Sequence, residues 1–139
     1  MTRLAHEAKA HWGYPASWLE TWVPQLTITP DYIDQHRVTI AYDNEEIVGM
    51  CALEDHADHW MLEHVWVEPL FQRRGVGRGL VGDALDTARR LRAVPVRLVA
   101  DPHARGFYER LGARLLREEA APMEGDPGRT VPHMEFDVR

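Results

Sequence analysis

The sequence predicts an α/β domain in which a central sheet is flanked by helices. Its 139 residues can build one buried core but not two domains. Apolar runs with strand patterning alternate with two helical patterns in the second half of the chain. The predicted order is helix–helix–β–β–β–α–β–α–β–β, without internal repeats.

Composition excludes several classes of protein. A hydrophobic content of 45% and a charged content of 27% are typical of soluble globular proteins. No apolar run reaches the length of a membrane span, and residues 1–7 lack the apolar region of a signal peptide. We therefore expect a cytoplasmic protein. The net charge of −6 argues against a nucleic-acid partner but is compatible with a small cationic substrate.

The first quarter of the chain is predicted to form short helices. Residues 4–12 are good helix formers and are followed by the stop signal Gly13-Tyr14-Pro15. Ser17 is predicted to cap a second helix, with Glu20 as its capping-box partner, and Pro24 to end that helix.

Thr29 and Pro30 have the pattern of a helix cap followed by proline at the first helical position, which predicts one or two further helical turns.

Three strands are predicted next. Residues 37–42 and 46–54 alternate in polarity around Asp43-Asn44-Glu45 and predict a hairpin. The third strand covers residues 61–67, and Cys51, the lone cysteine, is predicted to be a buried, inert thiol.

The second half alternates helices and strands. A long helix is predicted from about Gly77 to Leu91, and a second helix from Ala104 to Leu111. Gly112 provides the stop signal for the second helix. The remaining strands are predicted at residues 94–100, 114–119 and 133–138.

A glycine-rich loop follows the strand at 61–67. Gly75, Gly77 and Gly79 alternate with Arg73, Arg74 and Arg78, and the chain then continues into the long helix. Glycines allow close backbone approach, and the first helical turn presents unpaired N–H groups at the positive end of the helix dipole. This pattern suits a phosphate. A dinucleotide fingerprint would need glycine at position 80, and a P-loop would need Gly-Lys-Ser/Thr, so neither motif fits.

Two motifs together resemble a known family. Gln72-x-x-Gly75-x-Gly77 resembles the acetyl-CoA pyrophosphate loop of the GNAT superfamily of N-acetyltransferases. The segment 101–113 is similar to that family's Asn-Pro-x-Ala-x-x-Leu/Phe-Tyr-x-x-x-Gly-Phe/Ala motif, one strand–helix unit downstream. The resemblance implies the GNAT fold, with a mixed central sheet, over nearly the whole chain. The alternative for the loop is a tight strand-to-helix turn without a ligand.

One element of that fold is missing from the sequence. The family ordinarily begins with a strand before its first helix, and nothing upstream of Leu4 can supply one. We therefore expect an open sheet edge that another chain could cover, which makes a homodimer possible.

The resemblance also implies where acetyl-CoA, the co-substrate, would bind. Main-chain groups of residues 65–67 would pair with its pantetheine arm, and N–H groups of residues 73–79 would hold its pyrophosphate. The implied cofactor-binding residues are Val65, Trp66, Val67, Gln72, Arg73, Arg74, Gly75, Val76, Gly77, Arg78, Gly79, Asp101, Ala104, Phe107 and Tyr108.

Two residues are candidates for catalysis. Tyr108 matches the tyrosine that protonates the departing thiolate in the family. The reference pKa values of about 10 for phenol and 8.5 for thiol are close, so this proton transfer costs little free energy. Many family members carry a glutamate at the position of Met61, which cannot titrate, so Glu63 is the candidate base, with a water chain as the alternative. Strand alternation predicts Glu63 on the face of Met61, Val65 and Val67, with His64 on the opposite face.

Two further groups of polar and aromatic residues could serve either a functional or a structural role. His56, Asp58 and His59 match no tight metal-ligand spacing and are predicted to form a solvated loop without a metal. Trp12, Trp18 and Trp22 are predicted either to line the acceptor pocket or to pack in the core.

The predicted function is transfer of the acetyl group of acetyl-CoA to a primary amine, by direct attack in a ternary complex. The acceptor is a small-molecule or peptide amine. The main alternative is a GNAT-like module that binds acyl-CoA without turnover, because Met61 replaces the commonest base. A structural or interaction protein without a cofactor is the third possibility.

Overall fold

The computed structural model describes residues 1–139 and contains one six-stranded sheet in the order β1-β2-β3-β4-β6-β5. The strands are β1 (Arg37–Asp43), β2 (Glu46–Asp55), β3 (Trp60–Val67), β4 (Val96–Val99), β5 (Arg114–Ala120) and β6 (Thr130–Phe136). The helices are α1 (Thr2–Ala10), α2 (Ala16–Thr21), α3 (Val23–Leu26), α4 (Pro30–Gln35), α5 (Val76–Leu91) and α6 (Arg105–Arg110). Short 3₁₀ turns cover Pro69–Phe71 and Pro102–Ala104.

The sheet is mixed, as predicted. Strands β1, β2 and β3 are antiparallel neighbours, and β4, β6 and β5 form a second antiparallel group. The two groups meet where β3 pairs in parallel with β4. The candidate site described below lies beside this single parallel pairing.

Each face of the sheet buries its own apolar cluster. On one face, α5 and α6 cover a cluster of 16 buried residues that includes Val81, Leu98 and Met134. On the other face, the N-terminal helices cover a cluster of eight that includes Trp18 and Met50. Burying one such large apolar side chain contributes roughly 1.5–3 kcal/mol to stability. The two clusters therefore stabilise the packing of the helices on the sheet.

Helix α5 shows why the long helix was predictable. Its buried residues, Leu80, Val81, Ala84 and Ala88, recur at helical spacing and form one apolar stripe. Arg89 and Arg90 lie in the last turn, where cations stabilise the helix dipole. None of the helices combines the length and the apolar character that crossing a lipid bilayer requires.

The N-terminal helices correct one prediction. Thr29 caps α4 as predicted, accepting a hydrogen bond of 3.1 Å from the N–H of Tyr32. Ser17 does not cap α2, because that helix begins at Ala16 after Pro15, whose side chain cannot cap. The capping box with Glu20 is therefore wrong. Pro24 does not simply end a helix either; it lies in the first turn of α3, where its missing N–H costs nothing.

The ends of two strands also differ from the prediction. Strand β4 is shorter than residues 94–100, because Pro95 has no N–H to pair and Ala100 donates instead to the carbonyl of Pro132 at 3.0 Å. Strand β6 starts at Thr130 rather than His133, since it pairs with β5 from Thr130 to Glu135. Proline-rich composition concealed that early start.

Strand β1 pairs with β2 on one side and has no neighbouring strand on its other side, so it forms one edge of the sheet. Exposed hydrogen-bonding groups on such an edge recruit other strands. Dimerisation through β1 stays a prediction.

If two chains pair at this edge, a charge placed on it should weaken their association. Tyr42 in β1 is 61% exposed, and Tyr42→Lys should raise the dimer dissociation constant by about tenfold or more. Leu91→Lys, at an exposed position away from the edge, is the matched control. Sedimentation velocity over a concentration series measures both, and a wild-type protein that stays monomeric at high concentration would contradict the prediction.

Candidate active site

A cleft opens where β3 and β4 separate. The two strands pair only at Trp60–Val96 and Met61–Arg97 and then diverge. The cleft has a volume of about 1070 Å³ and is lined by Val65 and Val67 on one side and by Val99 and Ala100 on the other.

The glycine-rich loop forms one end of the cleft and holds a row of free donors. Gly75 is the N-cap of α5 with φ 84°, and Arg73 has φ 63°, so the chain turns sharply through left-handed conformations before the helix. The N–H groups of residues 73–78 donate to no acceptor within the protein. Successive free N–H groups in such a turn, at the positive end of a 16-residue helix, create an anion-binding concavity.

The other loop residues differ in what they can contribute. Gln72, Arg73 and Arg78 line the cleft. The guanidinium of Arg74 lies over the ring of Phe71, 5.0 Å from its centroid. Val76 packs against the core on the α5 face. The N–H of Gly79 already donates to the carbonyl of Gly75 at 2.9 Å, so Gly79 supplies no free donor.

Gly77 is required for packing rather than for an unusual φ. A Cβ at this position would lie 3.2 Å from Cζ of Phe107 and 3.5 Å from Cγ2 of Val67. The left-handed residues of this loop are Arg73 and Gly75, not Gly77. Gly77 therefore allows α6 and β3 to approach the first turn of α5 closely.

Asp101, which follows β4, is the centre of a polar cluster. Its carboxylate accepts hydrogen bonds from Lys9 Nζ at 2.5 Å, from the Tyr14 hydroxyl at 2.9 Å and from the N–H of His103 at 2.9 Å. Burial alone would raise the pKa of Asp101, but the charge and hydrogen bond of Lys9 lower it overall. The carboxylate is therefore ionised, and its side chain is held by protein partners.

Lys9 is buried with that carboxylate. It is the only lysine in the chain, and its side chain is 13% exposed. Its ammonium lies 4.4 Å from the ring centroid of Trp22 and 5.2 Å from that of Tyr14. Desolvation lowers the pKa of Lys9, and the Asp101 carboxylate opposes that shift. Sequence reasoning missed this pair, because the partners are 92 residues apart.

Tyr108 belongs to the core and to the cleft at once. It is 8% exposed, packs in the cluster under α5 and α6, and lines the cleft. Burial raises the pKa of its hydroxyl, with smaller contributions from Cys51 and Asp101. The hydroxyl is therefore protonated across the physiological range and can act as a donor.

A bulge in β3 changes the face on which Glu63 lies. Ala52 pairs with His64 and Leu53 pairs with Leu62, so Glu63 is an extra residue without a partner on β2. The predicted alternation therefore fails between Glu63 and Val65. The other part of the prediction is confirmed: His64 contacts Tyr32 on the face opposite to Val65 and Val67.

Glu63 nevertheless lines the cleft, and its surroundings favour a base. The residue as a whole is exposed, but nearby protein atoms desolvate its carboxyl and raise its pKa, and the Glu54 carboxylate raises that pKa further. Met61 precedes the bulge and pairs with Glu54 across the ladder.

His64 is a cleft residue that the sequence did not single out for chemistry. Its Nδ1 accepts a hydrogen bond of 2.9 Å from Trp66 Nε1, which leaves the proton on Nε2 in the neutral ring. Desolvation lowers the pKa of His64, although Glu54 opposes the shift. The side chain of Trp66 thus faces the N-terminal helices, away from Val65 and Val67.

The three tryptophans divide between the two predicted roles, lining the acceptor pocket and packing in the core. Trp18 is buried in the core, and its Nε1 donates to the carbonyl of Glu124 at 2.8 Å. Trp22 belongs to the same core and also lines the cleft. Trp12 lines the cleft and stacks on His103 with ring centroids 5.0 Å apart.

The remaining predicted residues lie as follows. Ala104 and Phe107 line the cleft beside Tyr108. In the loop before β3, His59 Nδ1 contacts Asp58 at 2.6 Å, while His56 Nε2 contacts Glu54 at 3.2 Å. These side chains therefore take separate partners.

Comparison with known proteins agrees with this geometry. The family model described as the acetyltransferase (GNAT) family matches residues 1–113. No curated protein matches the sequence. The match to the family model confirms the resemblance that the two motifs indicated.

Several solved structures share the fold. A PaiA N-acetyltransferase from Thermoplasma acidophilum in complex with coenzyme A has 15% identity and a TM-score of 0.77, covering 98% of this chain and 89% of that one. An aminoglycoside 6'-N-acetyltransferase complexed with coenzyme A has 17% identity and a TM-score of 0.69, covering 98% and 89%. The ribosomal-protein-S18-alanine N-acetyltransferase from Escherichia coli has 21% identity and a TM-score of 0.69, covering 99% and 86%.

Breaking the buried pair should cost stability. Asp101→Asn would leave the Lys9 ammonium buried without a counter-charge, and we expect a loss on the order of 3 kcal/mol in the free energy of unfolding. Denaturant titration at pH 7 measures it. The double variant Lys9→Met/Asp101→Asn is the control and should recover much of the loss, because no unpaired charge remains. An Asp101→Asn variant as stable as the wild type would contradict this account of the cluster.

Proposed function

Because the chain belongs to the acetyltransferase (GNAT) family, we propose that it transfers the acetyl group of acetyl-CoA to a primary amine. The main support for this proposal is the row of free N–H groups at residues 73–78, which lies beside the point where β3 and β4 separate. The row suits a pyrophosphate, and the gap between strands suits an extended arm with amide groups. Arg73 and Arg78, which line the same end of the cleft, add positive charge for a ligand with several phosphates.

The gap suits that arm because it exposes backbone groups. Val65 and Val67 have strand partners on β2 but none on β4. An extended molecule with amides can take the place of the missing ladder, as a peptide does when it adds to a sheet edge. A thioester carbonyl placed at the end of that arm would be polarised by a backbone N–H.

In the proposed reaction the amine nitrogen attacks the thioester carbonyl carbon. The C–S bond breaks and the amide forms as the nitrogen loses a second proton. The departing thiolate gains a proton and leaves as the CoA thiol, and the proton lost by the nitrogen replaces the one given to the sulfur. Glu63 is the proposed base that takes the ammonium proton, directly or through water, and the Tyr108 hydroxyl is the proposed donor to the thiolate. Both line the cleft, and the pKa of Glu63 is raised toward the range that suits a base.

The direct test is thiol release from acetyl-CoA in the presence of a panel of primary amines. Amine-dependent release supports the proposal. Thermal stabilisation by CoA without release would favour an acyl-CoA-binding module, whereas no stabilisation would favour a protein without this ligand.

Gly77→Val should abolish CoA binding. The added side chain would collide with Phe107 and Val67 and displace the first turn of α5, together with the N–H groups that it presents. Calorimetric titration with CoA measures the effect. Gly82→Val is the control, since a Cβ at Gly82 meets nothing within 4 Å. Unchanged affinity for CoA in a folded Gly77→Val protein would show that the loop does not bind CoA.

Tyr108→Phe should keep the fold and CoA affinity but lower the chemical rate by something on the order of 10²–10⁴, the usual contribution of a positioned general acid. Single-turnover measurements isolate that step from product release. Wild-type turnover in this variant would reduce Tyr108 to a packing residue.

Glu63→Gln should give a defect that depends on pH. Losing a base matters most where the amine is protonated, so the defect should shrink as pH rises toward the pKa of the amine, near 10 for a lysine-like acceptor. Because the pKa of Glu63 is raised, wild-type kcat/KM should begin to rise at a pH above that of an ordinary carboxylate. A constant ratio of wild-type to variant kcat/KM across pH would point to a water chain as the base.

A further inference from the structure

The wall of the cleft formed by the β5–β6 loop carries an arginine that the proposed reaction does not use. Arg129 lines the cleft, and its guanidinium lies 5.3–5.9 Å from the ring centroids of Tyr14, Trp18 and Trp22. These three rings are called the aromatic cluster below. Its Nη1 donates to the carbonyl of Ala121 at 3.2 Å. The guanidinium is thus held in place on an apolar support.

Arg129 has no anionic partner in the protein. None of the ion pairs of the structure includes it. The nearby carboxylate, Asp101, is bound by Lys9, Tyr14 and His103. Asp101 balances the charge of Lys9, which leaves the positive charge of Arg129 unbalanced at this wall of the cleft.

The loop that carries Arg129 is fastened to the helices opposite. Trp18 Nε1 donates to the carbonyl of Glu124, and Met123 packs against the core of the N-terminal helices. The N–H of Ala121 donates to the carbonyl of Arg129 at 2.9 Å and closes the base of the loop. A guanidinium fixed in this way loses little freedom when it binds an anion.

We propose that the amine acceptor carries a carboxylate and that Arg129 binds it. The inference rests on the proposed function and narrows its substrate class to amino acids and related zwitterions. An excess of one charge matches a carboxylate better than a doubly charged phosphoryl group. The free edge of a guanidinium is shaped to bind carboxylate oxygens, and its aromatic support weakens the competition from water.

The distribution of charge along the cleft fits a zwitterion. Glu63 is the carboxylate on the β3 wall, where the ammonium must be deprotonated, while Lys9 and Arg129 lie on the wall of the N-terminal helices and the β5–β6 loop. An acceptor with several ammonium groups would place a positive charge near the unbalanced guanidinium of Arg129. The cleft therefore disfavours polyamines.

The test compares matched amines with and without a carboxylate: lysine with cadaverine, and tryptophan with tryptamine. The wild type should prefer the carboxylated member. Arg129→Gln should lower kcat/KM for that member by about 10- to 100-fold, mainly through KM, and leave the other nearly unchanged. Arg129→Lys should recover part of the loss. Arg117→Gln is the control, since Arg117 is exposed on β5 and does not line the cleft.

Three outcomes would overturn the inference. They are equal losses for both members of a pair, a wild-type preference for the decarboxylated amine, and a preference for aminoethylphosphonate over β-alanine. Absence of turnover with every amine counts against the proposed function instead. Binding then decides the inference: with CoA present, N-acetyltryptophan should bind the wild type more tightly than Arg129→Gln, while N-acetyltryptamine should not distinguish them, and equal binding of N-acetyltryptophan overturns it.

Discussion

The site depends on the early separation of two parallel strands. Strands β3 and β4 are joined by two residue pairs, after which the backbone of β3 has a ladder partner only on β2. Backbone N–H and C=O groups need partners, so a gap of this kind must be filled by water or by a ligand with amide-like groups. The proposed binding surface is thus made of main-chain atoms, which leaves the side chains of Val65 and Val67 free to pack against the core.

The position of α5 follows from a second constraint, in β2. A Cβ on Gly49 would lie 2.9 Å from Cγ1 of Val76 and 3.0 Å from Cδ1 of Leu80. Glycine at this position therefore lets the first turn of α5 rest directly on the sheet. That contact brings the free N–H groups of the turn to the point where β3 and β4 open, so one helix N-terminus and one gap form a continuous surface.

Local patterns made the loop and α5 predictable, because glycine placement and apolar periodicity act over a few residues. The mixed sheet was expected from the resemblance to the family. The bulge at Glu63 was not predictable, since it arises from the register between β2 and β3 rather than from either strand alone. The cluster of Lys9, Tyr14 and Asp101 was missed for a related reason. Asp101 was noticed only as a motif position, and nothing in the local sequence indicates that a distant lysine and tyrosine occupy its carboxylate.

The raised pKa of Tyr108 affects how it can assist catalysis. Reference values place phenol and thiol about 1.5 pKa units apart, but burial raises the pKa of this phenol well above its usual value. The same apolar cluster contains Cys51, and burial raises the pKa of that thiol to about 11. Surroundings that desolvate a phenolate desolvate a thiolate as well. A thiolate leaving beside Tyr108 would therefore also have a raised proton affinity, and a hydroxyl that stays protonated over the working range of pH can still donate to it.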